Sequence, residues 1–513
     1  MKWKKILLLV PNYRTSGYDF YDSAFPPLAL EYIAAYVEDM ADVKILDTKA
    51  ADLNFKEVYE EIKAYSPDLI GLTVPVTSGI NLVLKYAKIA KKMGITTVIG
   101  GWHPTLAVEQ TLSSPWIDIL VRGEGEFTFR ELIKKGSPED VAGLSYKEGG
   151  KLIHNEDRPF IEDLDSLRMP ARHLVTDYDY KIFNLNCAAI ETSRGCPQGC
   201  KFCSTHVVYK RSWRPRSVKN IIKELEQISE IKKIEDVFLV DDNILVNMQR
   251  MKKLCLEIIK AKNEGRIRQN LYFFFQGRLD SMARHPDITK LMGKAGFWLV
   301  LVGVEATDDA RLKQVDKGCK MDQIKRGIEV LHESNIVCMG NVILGTNLDD
   351  TVSDCLRTIT NTLKLGLDLP SFTLLTPFPG TLFYKELKKK DRILTEDYSK
   401  YNWLNPVIET KNLSPEVLKL LLFLGFYYVS YYGGGLKNKL RLASKVIKKR
   451  GIKFVFNLGR IRRGYDAYFS WRDIVLNNIK ELKEEEELID KTIRGKHLEE
   501  LNKLENYLKK KVE

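Results

Sequence analysis

A chain of 513 residues with 44% hydrophobic and 29% charged side chains is long enough for two or three packed domains, and that mixture excludes a largely disordered or fibrous protein. Eight cysteines, three of them clustered, do not make a disulfide framework, so a reducing cytoplasm is the expected compartment. The formal charge of +12 permits an anionic partner, but no nucleic-acid-binding motif accompanies it, and no nucleic-acid partner is expected. The opening MKWKKILLLVPN has a basic start and a short apolar run that stops at Pro11-Asn12 without a small-residue cleavage site, so it reads as a buried first strand rather than a signal peptide. No stretch is expected to span a bilayer; Val417 to Tyr432 comes nearest and carries Lys419, Gly425 and Ser430.

Residues 1–135 alternate strand and helix. Apolar runs at Lys5 to Val10, Val43 to Leu46, Leu69 to Val76, Thr96 to Ile99 and Ile117 to Val121 predict strands, and helical periodicity covers Leu28 to Glu38, Phe55 to Ala64, Ile80 to Lys92 and Leu106 to Leu112. This predicts a doubly wound parallel sheet with its ligand crevice beyond the carboxyl ends of the strands. The informative residues fall there: Asn12, the Thr73–Gly79 loop with Val76, Thr77 and Ser78, then Gly100, Gly101 and His103, then Gly123 and Glu124. Glycine-rich loops at those ends let a large flat ligand approach the backbone. Residues 136–185 read as a linker, with a small hairpin at Gly143 to Tyr146 and Lys151 to His154.

From 186 to 400 six further strand-helix units follow, with strands at Ala189 to Ser193, Val237 to Val240, Leu271 to Phe275, Trp298 to Val304, Val337 to Leu344 and Phe372 to Leu375. Six units predict a partial (β/α)6 barrel that works at the carboxyl ends of its strands. The first strand leads into ETSRGCPQGCKFCST, where Cys196, Cys200 and Cys203 stand as C-x3-C-x2-C. Three thiolates in so short a loop can hold three irons of a [4Fe-4S] cube and leave the fourth open. A zinc knuckle would need a fourth ligand, and His206 is not part of a separated second pair.

This loop, with Arg194-Gly195 ahead of it and Phe202 before its last cysteine, resembles the signature of the radical S-adenosylmethionine (radical SAM) superfamily. The first 130 residues, with Pro26-Pro27-Leu28, the GGWHP segment and the GEGE segment, resemble the cobalamin-binding domain ahead of many such modules. The resemblance implies three cofactors: the cluster, S-adenosylmethionine and cobalamin (B12). It implies that Asp241 or Asp242 meets the methionyl amine, Arg278 the carboxylate and Glu305 the ribose hydroxyls, with Val342 and Ile343 flanking the adenine. Asn341 departs from the glycine expected on that strand. The D-x-H-x-x-G motif is also absent, so bound cobalamin is expected with its dimethylbenzimidazole tail detached and no protein nitrogen below cobalt, its lower face against Val74 to Thr77 and His103 in a packing role. Arg214 to Ser217 resembles a segment that follows the cluster loop in the cobalamin-dependent branch, and Ser217 also suits an N-cap. Asp308-Asp309 and Asp349-Asp350 are read as helix caps.

The class resembled includes hopanoid carbon methylases and the anaerobic cyclase of chlorophyll synthesis. It implies a radical enzyme that methylates an unactivated carbon of a hydrophobic substrate, with an electron donor such as ferredoxin or flavodoxin. A cyclase or oxidative ring-forming enzyme is the alternative, and a cobalamin-binding regulatory protein with a structural cluster is the more remote one. No proton-handling catalytic residue is singled out. Residues 401–513 lack barrel periodicity and read as a helical substrate-side extension ending in a charged helical tail. In it an apolar run, Leu418 to Tyr432, precedes eleven Lys or Arg without an acid from Leu436 to Arg463. Two readings stand side by side: an apolar, lipid or isoprenoid-like substrate with peripheral membrane contact, or a core helix that caps the barrel beside solubilising lysines.

Overall fold

A computed structural model describes residues 2–12, 24–182, 185–432 and 435–451. Five parallel strands, β1 (Lys5–Val10), β2 (Asp42–Asp47), β3 (Leu69–Thr73), β4 (Thr96–Gly100) and β5 (Ile119–Val121), form the first sheet. The hairpin β6 (Leu144–Glu148) and β7 (Lys151–His154) extends it antiparallel, giving the order β2-β1-β3-β4-β5-β6-β7. The hairpin placed in the linker therefore belongs to the first sheet, and residues after it pack on both units. Leu7, Leu9, Ile70 and Ile99 are fully buried on one face, as a sheet covered by helices requires. The helix expected over Leu106 to Leu112 is two short ones, Trp102–Leu106 and Val108–Ser113, because the chain breaks at Ala107 with φ −134°.

The second sheet begins with the antiparallel strand β8 (Lys181–Ile182). Six parallel strands follow: β9 (Leu185–Ile190), then, after the short pair β10 (Ser193–Arg194) and β11 (Arg214–Pro215), β12 (Asp236–Leu239), β13 (Tyr272–Gly277), β14 (Phe297–Glu305), β15 (Val337–Leu344) and β16 (Leu369–Leu374). The order β16-β15-β14-β13-β12-β9-β8 is a partial barrel. Its largest core cluster joins the strands to their outer helices and to Leu418, Leu421, Leu422 and Leu424 of the helix Pro415–Tyr432. That apolar run is a core helix: those leucines are at most 2% exposed, and a Cβ on Gly425 would stand 2.8 Å from the Phe372 ring.

The next helix, Gly435–Arg450, places its cations against the amino ends of the barrel strands. Lys445 donates to Asp368 at 2.6 Å and to the Ile336 carbonyl at 2.7 Å, while Arg441 reaches Asp368 at 3.1 Å. Lys449 donates to the Gly293 carbonyl, and Arg450 pairs with Asp236 while lying over the rings of Tyr272 and Trp298 at 4.3 and 4.5 Å. These charges close the barrel floor and are unavailable to a lipid surface. The rest of the basic stretch and the charged tail, 452–513, lie outside the described residues. Among the described residues no helix is long and apolar enough to cross a membrane.

Between the two units sits Glu31 of the helix Leu28–Val37, 1% exposed, with the nearest guanidinium nitrogen, on Arg172, at 3.9 Å. Burial, reinforced by Glu224 and Asp47, pushes its carboxyl up to about 7. A carboxyl whose folded value is raised contributes stability that is present below about 4.5 and lost as pH rises through about 7. Glu31 should therefore contribute a fall in the stability of the cofactor-free protein of roughly 2–3 kcal/mol between pH 5 and pH 7.5. Glu31→Gln should make the profile of thermal midpoint against pH shallower by that share, the rest belonging to Glu191 and Asp242, whose carboxyls burial also raises. An unchanged slope in the variant would contradict the assignment.

Candidate functional site

The carboxyl ends of β3, β4 and β5 face the residues that flank the cysteines, Arg194 before them and Val208 and Tyr209 after them, across a cavity of about 370 Å³ that none of the three cysteines lines. The first unit supplies Tyr32, Ile33, Thr73, Pro75, Gly100, Gly101, Trp102, Gly123, Glu124 and Glu126; the second supplies Glu191, Ser193, Arg194, Val208, Tyr209, Val240 and Asp242. Of the residues expected at a flat ligand, Thr73, Gly100, Gly101, Gly123 and Glu124 line it. Asn12, Val76, Thr77, Ser78 and His103 do not. Asn12 is spent on the Leu53 carbonyl, and Thr77 is buried in the short turn Thr77–Gly79, which contains Ser78 and which Val76 precedes. His103 is fully buried with Nε2 3.0 Å from Gln110 and its ring edge-on to Tyr398. Burial holds its pKa below the usual value. The lower-face wall expected from Val74 to Thr77 is reduced to Pro75, since Val74 is fully buried behind it.

The loops have the shape a flat ligand needs. Gly101 takes φ +107°, where a Cβ would stand 2.8 Å from the Val74 carbonyl oxygen, and a Cβ on Gly123 would meet nothing within 4 Å. Such backbone approach, open on the cavity side, fits a corrin.

The cysteine loop is tightly wound. Gly195 takes φ +87°, and a Cβ on Gly199 would stand 2.5 Å from the Arg211 guanidinium. The Cys203 N–H donates to the Cys200 carbonyl at 3.0 Å, the Lys201 N–H to the Val315 carbonyl at 3.1 Å, and the Phe383 N–H to the Lys201 carbonyl at 3.2 Å, which fixes the loop on the barrel. Cys200 is buried, and burial pushes the Cys203 thiol up to about 11. Thiols of this kind ionise when metal replaces the proton. Among the described residues no three His, Cys, Asp or Glu side chains converge on a single-ion position. Three thiols serving three corners of a cube need no such convergence, and the donor set fits a cluster better than one zinc ion.

A polar group lies beyond the loop. Arg278 is held by Asp280 (2.9 Å) and the Lys317 carbonyl (2.7 Å), and Lys317 Nζ donates to Glu305 at 2.8 Å. The Cys200 thiol lies close enough to act electrostatically on both cations. Glu305 ends β14 at φ +66° and folds back over Gly303, where a Cβ would stand 1.9 Å from Oε1. Val342 pairs with Glu305 across the sheet, and Ile343 shares a core cluster against which Phe202 packs. Asn341 donates to Thr373 Oγ1 at 2.9 Å, and its own oxygen is unpartnered. Buried Lys317 was not anticipated, because it stands in a loop with no motif and only the fold brings it to Glu305.

The two adjacent aspartates separate by role. Asp241 is 2% exposed and accepts from the Thr192 N–H and from the hydroxyls of Thr192 and Ser193, so both its oxygens are engaged in bracing the strand ends and it does not line the cavity. Asp242 lines the cavity, accepts from Thr205 Oγ1 at 2.9 Å, and is pushed up to about 6 by burial. Ser217 caps its helix through the Asn220 N–H, and Asp308 caps through Arg311. Asp350 instead pairs with Arg311, and Thr351 is the cap there.

Comparison with known proteins agrees with this geometry. The family model described as B12 binding domain matches residues 21–133, and that of the Radical SAM superfamily matches residues 190–359. An uncharacterized methyltransferase of Pyrococcus horikoshii is 32% identical over 439 residues, covering 84% of this chain and 93% of that protein. The anaerobic magnesium-protoporphyrin IX monomethyl ester cyclase of Rubrivivax gelatinosus is 28% identical, covering 79% and 73%. Among solved structures, the cobalamin-dependent S-adenosylmethionine radical enzyme OxsB, with aqua-cobalamin and S-adenosylmethionine bound, superposes with a TM-score of 0.64 over 98% of this chain and 83% of that one, at 16% identity.

Proposed function

The chain belongs to the radical SAM enzymes that carry a B12-binding domain, with a [4Fe-4S] cluster, S-adenosylmethionine and cobalamin as cofactors, and from that premise we propose that it methylates an unactivated carbon of a hydrophobic small molecule. The observation that carries this reading is the cavity walled jointly by the carboxyl-end loops of the first sheet and by Arg194, Val208 and Tyr209, which flank the three cysteines. When bound, the cofactors supply one-electron cleavage of S-adenosylmethionine and a methyl carrier.

The chain's own residues hold and screen. Cys196, Cys200 and Cys203 bind three irons. Asp242 takes the methionyl ammonium, Arg278 with Lys317 the carboxylate, and Glu305 the ribose hydroxyls. Ile343 and Phe202 give the adenine its apolar bed, and Val342, whose side chain is buried on the opposite face of the sheet, meets it only through its backbone. Thr73, Gly100, Gly101 and Gly123 face the corrin. Tyr32, Ile33, Trp102 and Tyr209 exclude water from the space between. Residues 2–12 and 24–154 form the cobalamin unit, 185–400 the radical core, and the helices Pro415–Tyr432 and Gly435–Arg450 a buttress. A small redox protein of the ferredoxin or flavodoxin kind supplies the electron. An isoprenoid-like substrate suits the apolar wall, but the basic helix that would have met a membrane is turned into the barrel floor, so peripheral membrane contact draws no support from it.

The experiment is mass spectrometry of products from cell extract incubated with reconstituted enzyme and deuterated-methyl S-adenosylmethionine. A product that carries the label supports methylation. An unlabelled product formed together with 5′-deoxyadenosine would favour ring formation, the reading suggested by the 28% identical cyclase.

A further inference from the structure

We infer that Glu124, in the loop after β5, holds the neck of the cysteine loop closed from the other domain, and so ties retention of the iron–sulfur cluster to the state of the cobalamin unit. The cysteine loop leaves the barrel at Arg194 and returns at Arg214. These two residues face each other in the ladder of β10 and β11, which has two rungs, Ser193 with Pro215 and Arg194 with Arg214. A ladder that short has little stability of its own.

Closure comes from outside it. Glu124 Oε1 accepts from Arg194 Nη1 at 2.9 Å and Oε2 accepts from Arg214 Nη1 at 2.9 Å, one oxygen for each end of the neck. The three side chains are 6–8% exposed, so solvent and salt screen the contacts weakly. The arginines are themselves fixed. Arg194 also donates to Glu191 at 2.8 Å and Glu126 at 2.6 Å, and Arg214 donates to the Ile161 carbonyl while lying over the Phe160 ring at 4.7 Å. The neck has no slack: a Cβ on Gly195 would stand 2.4 Å from the Ser212 carbonyl oxygen.

Glu124 lines the cavity and was expected at the corrin, but both its oxygens are committed to the neck, and Oε2 takes the Ile161 N–H as well. It is a positioning residue. Its neighbours Gly123 and Gly125 form cavity wall, so a ligand that orders this loop also orders the neck, and a formed cluster favours the ligand in return. The inference rests on the cluster and cobalamin assignments of the preceding subsection.

The test is release of iron to a ferrous chelator from anaerobically reconstituted full-length protein, with and without hydroxocobalamin. In Glu124→Gln an amide nitrogen faces one guanidinium. Iron should leave about tenfold faster than from the wild type, in the range seen when a partner that orients metal ligands is removed. Hydroxocobalamin should slow release from the wild type and leave release from Glu124→Gln unchanged. Arg214→Gln opens the neck from the barrel side and should give the same acceleration; it decides the matter if Glu124→Gln does not fold. Glu109→Gln, at an exposed carboxylate paired with His154, should release iron at the wild-type rate. Wild-type release rates in both neck variants, or a lowered thermal midpoint with unchanged release, would overturn the inference. Failure of the wild type to take up hydroxocobalamin would remove the cobalamin reading, while the chelator rates would still decide the role of Glu124 at the neck.

Discussion

Replacing any one of Cys196, Cys200 and Cys203 by alanine should abolish the cluster, taking iron in the reconstituted protein from about four atoms per chain to near zero. Each thiol serves one corner, and the loop that carries them is fixed by backbone contacts to Val315 and Phe383, so it cannot slide to bring in another ligand. Cys187, Cys255, Cys338 and Cys355 are at most 1% exposed in the hydrophobic cores, where burial pushes their thiols far above the usual value. Cys319 is the informative control. It is partly exposed, and the Cys200 thiol is among the charges that act on it, yet it stands outside the loop beside Lys317. Cys319→Ser should keep the full iron content. Full iron in Cys200→Ala would refute the ligand set.

The second large effect is on stability. The Asp368 side chain is fully buried and accepts from Lys445 (2.6 Å), Arg441 (3.1 Å) and the Cys338 N–H (2.9 Å). Asp368→Ala leaves the 3% exposed Lys445 ammonium without its counter-charge, and breaking a buried pair from one side costs about 3–5 kcal/mol. The barrel's thermal midpoint should fall by roughly 5–10 °C. The double variant Asp368→Asn with Lys445→Met removes both charges and should recover much of the loss. Equal midpoints for Asp368→Ala and the wild type would show that the helix Gly435–Arg450 does not close the barrel floor.

Much of this was readable locally. The helix Ile80–Lys92 and the strand Val337–Leu344 run where their periodicity places them, because both bury one continuous apolar face or run. The cysteine loop was readable because its chemistry needs close spacing in sequence. What escaped depends on contacts distant along the chain. Nothing near Asp241 says that Thr192 and Ser193 will consume its oxygens and leave Asp242 to the cavity, and nothing near Glu124 announces Arg194 and Arg214. The roles of Arg441, Lys445 and Arg450 escaped for the same reason: cations on a helix look solvated until Asp236, Asp368 and two aromatic rings are found beneath them. The hairpin at Leu144–His154 looked like linker because its turn is plain, while its pairing with β5 is set by the sheet edge.

The central claim, that this chain holds cobalamin together with a radical cluster, with the dimethylbenzimidazole tail detached and no protein nitrogen in its place, is tested most directly by electron paramagnetic resonance of the cobalt(II) form bound to the purified, reconstituted protein. His103 is fully buried, outside the cavity and engaged with Gln110, so the account predicts cobalamin that survives gel filtration, a cobalt(II) spectrum without nitrogen splitting, and the same spectrum in His103→Ala. Nitrogen splitting that disappears in His103→Ala, or loss of all cobalt on gel filtration, would contradict it.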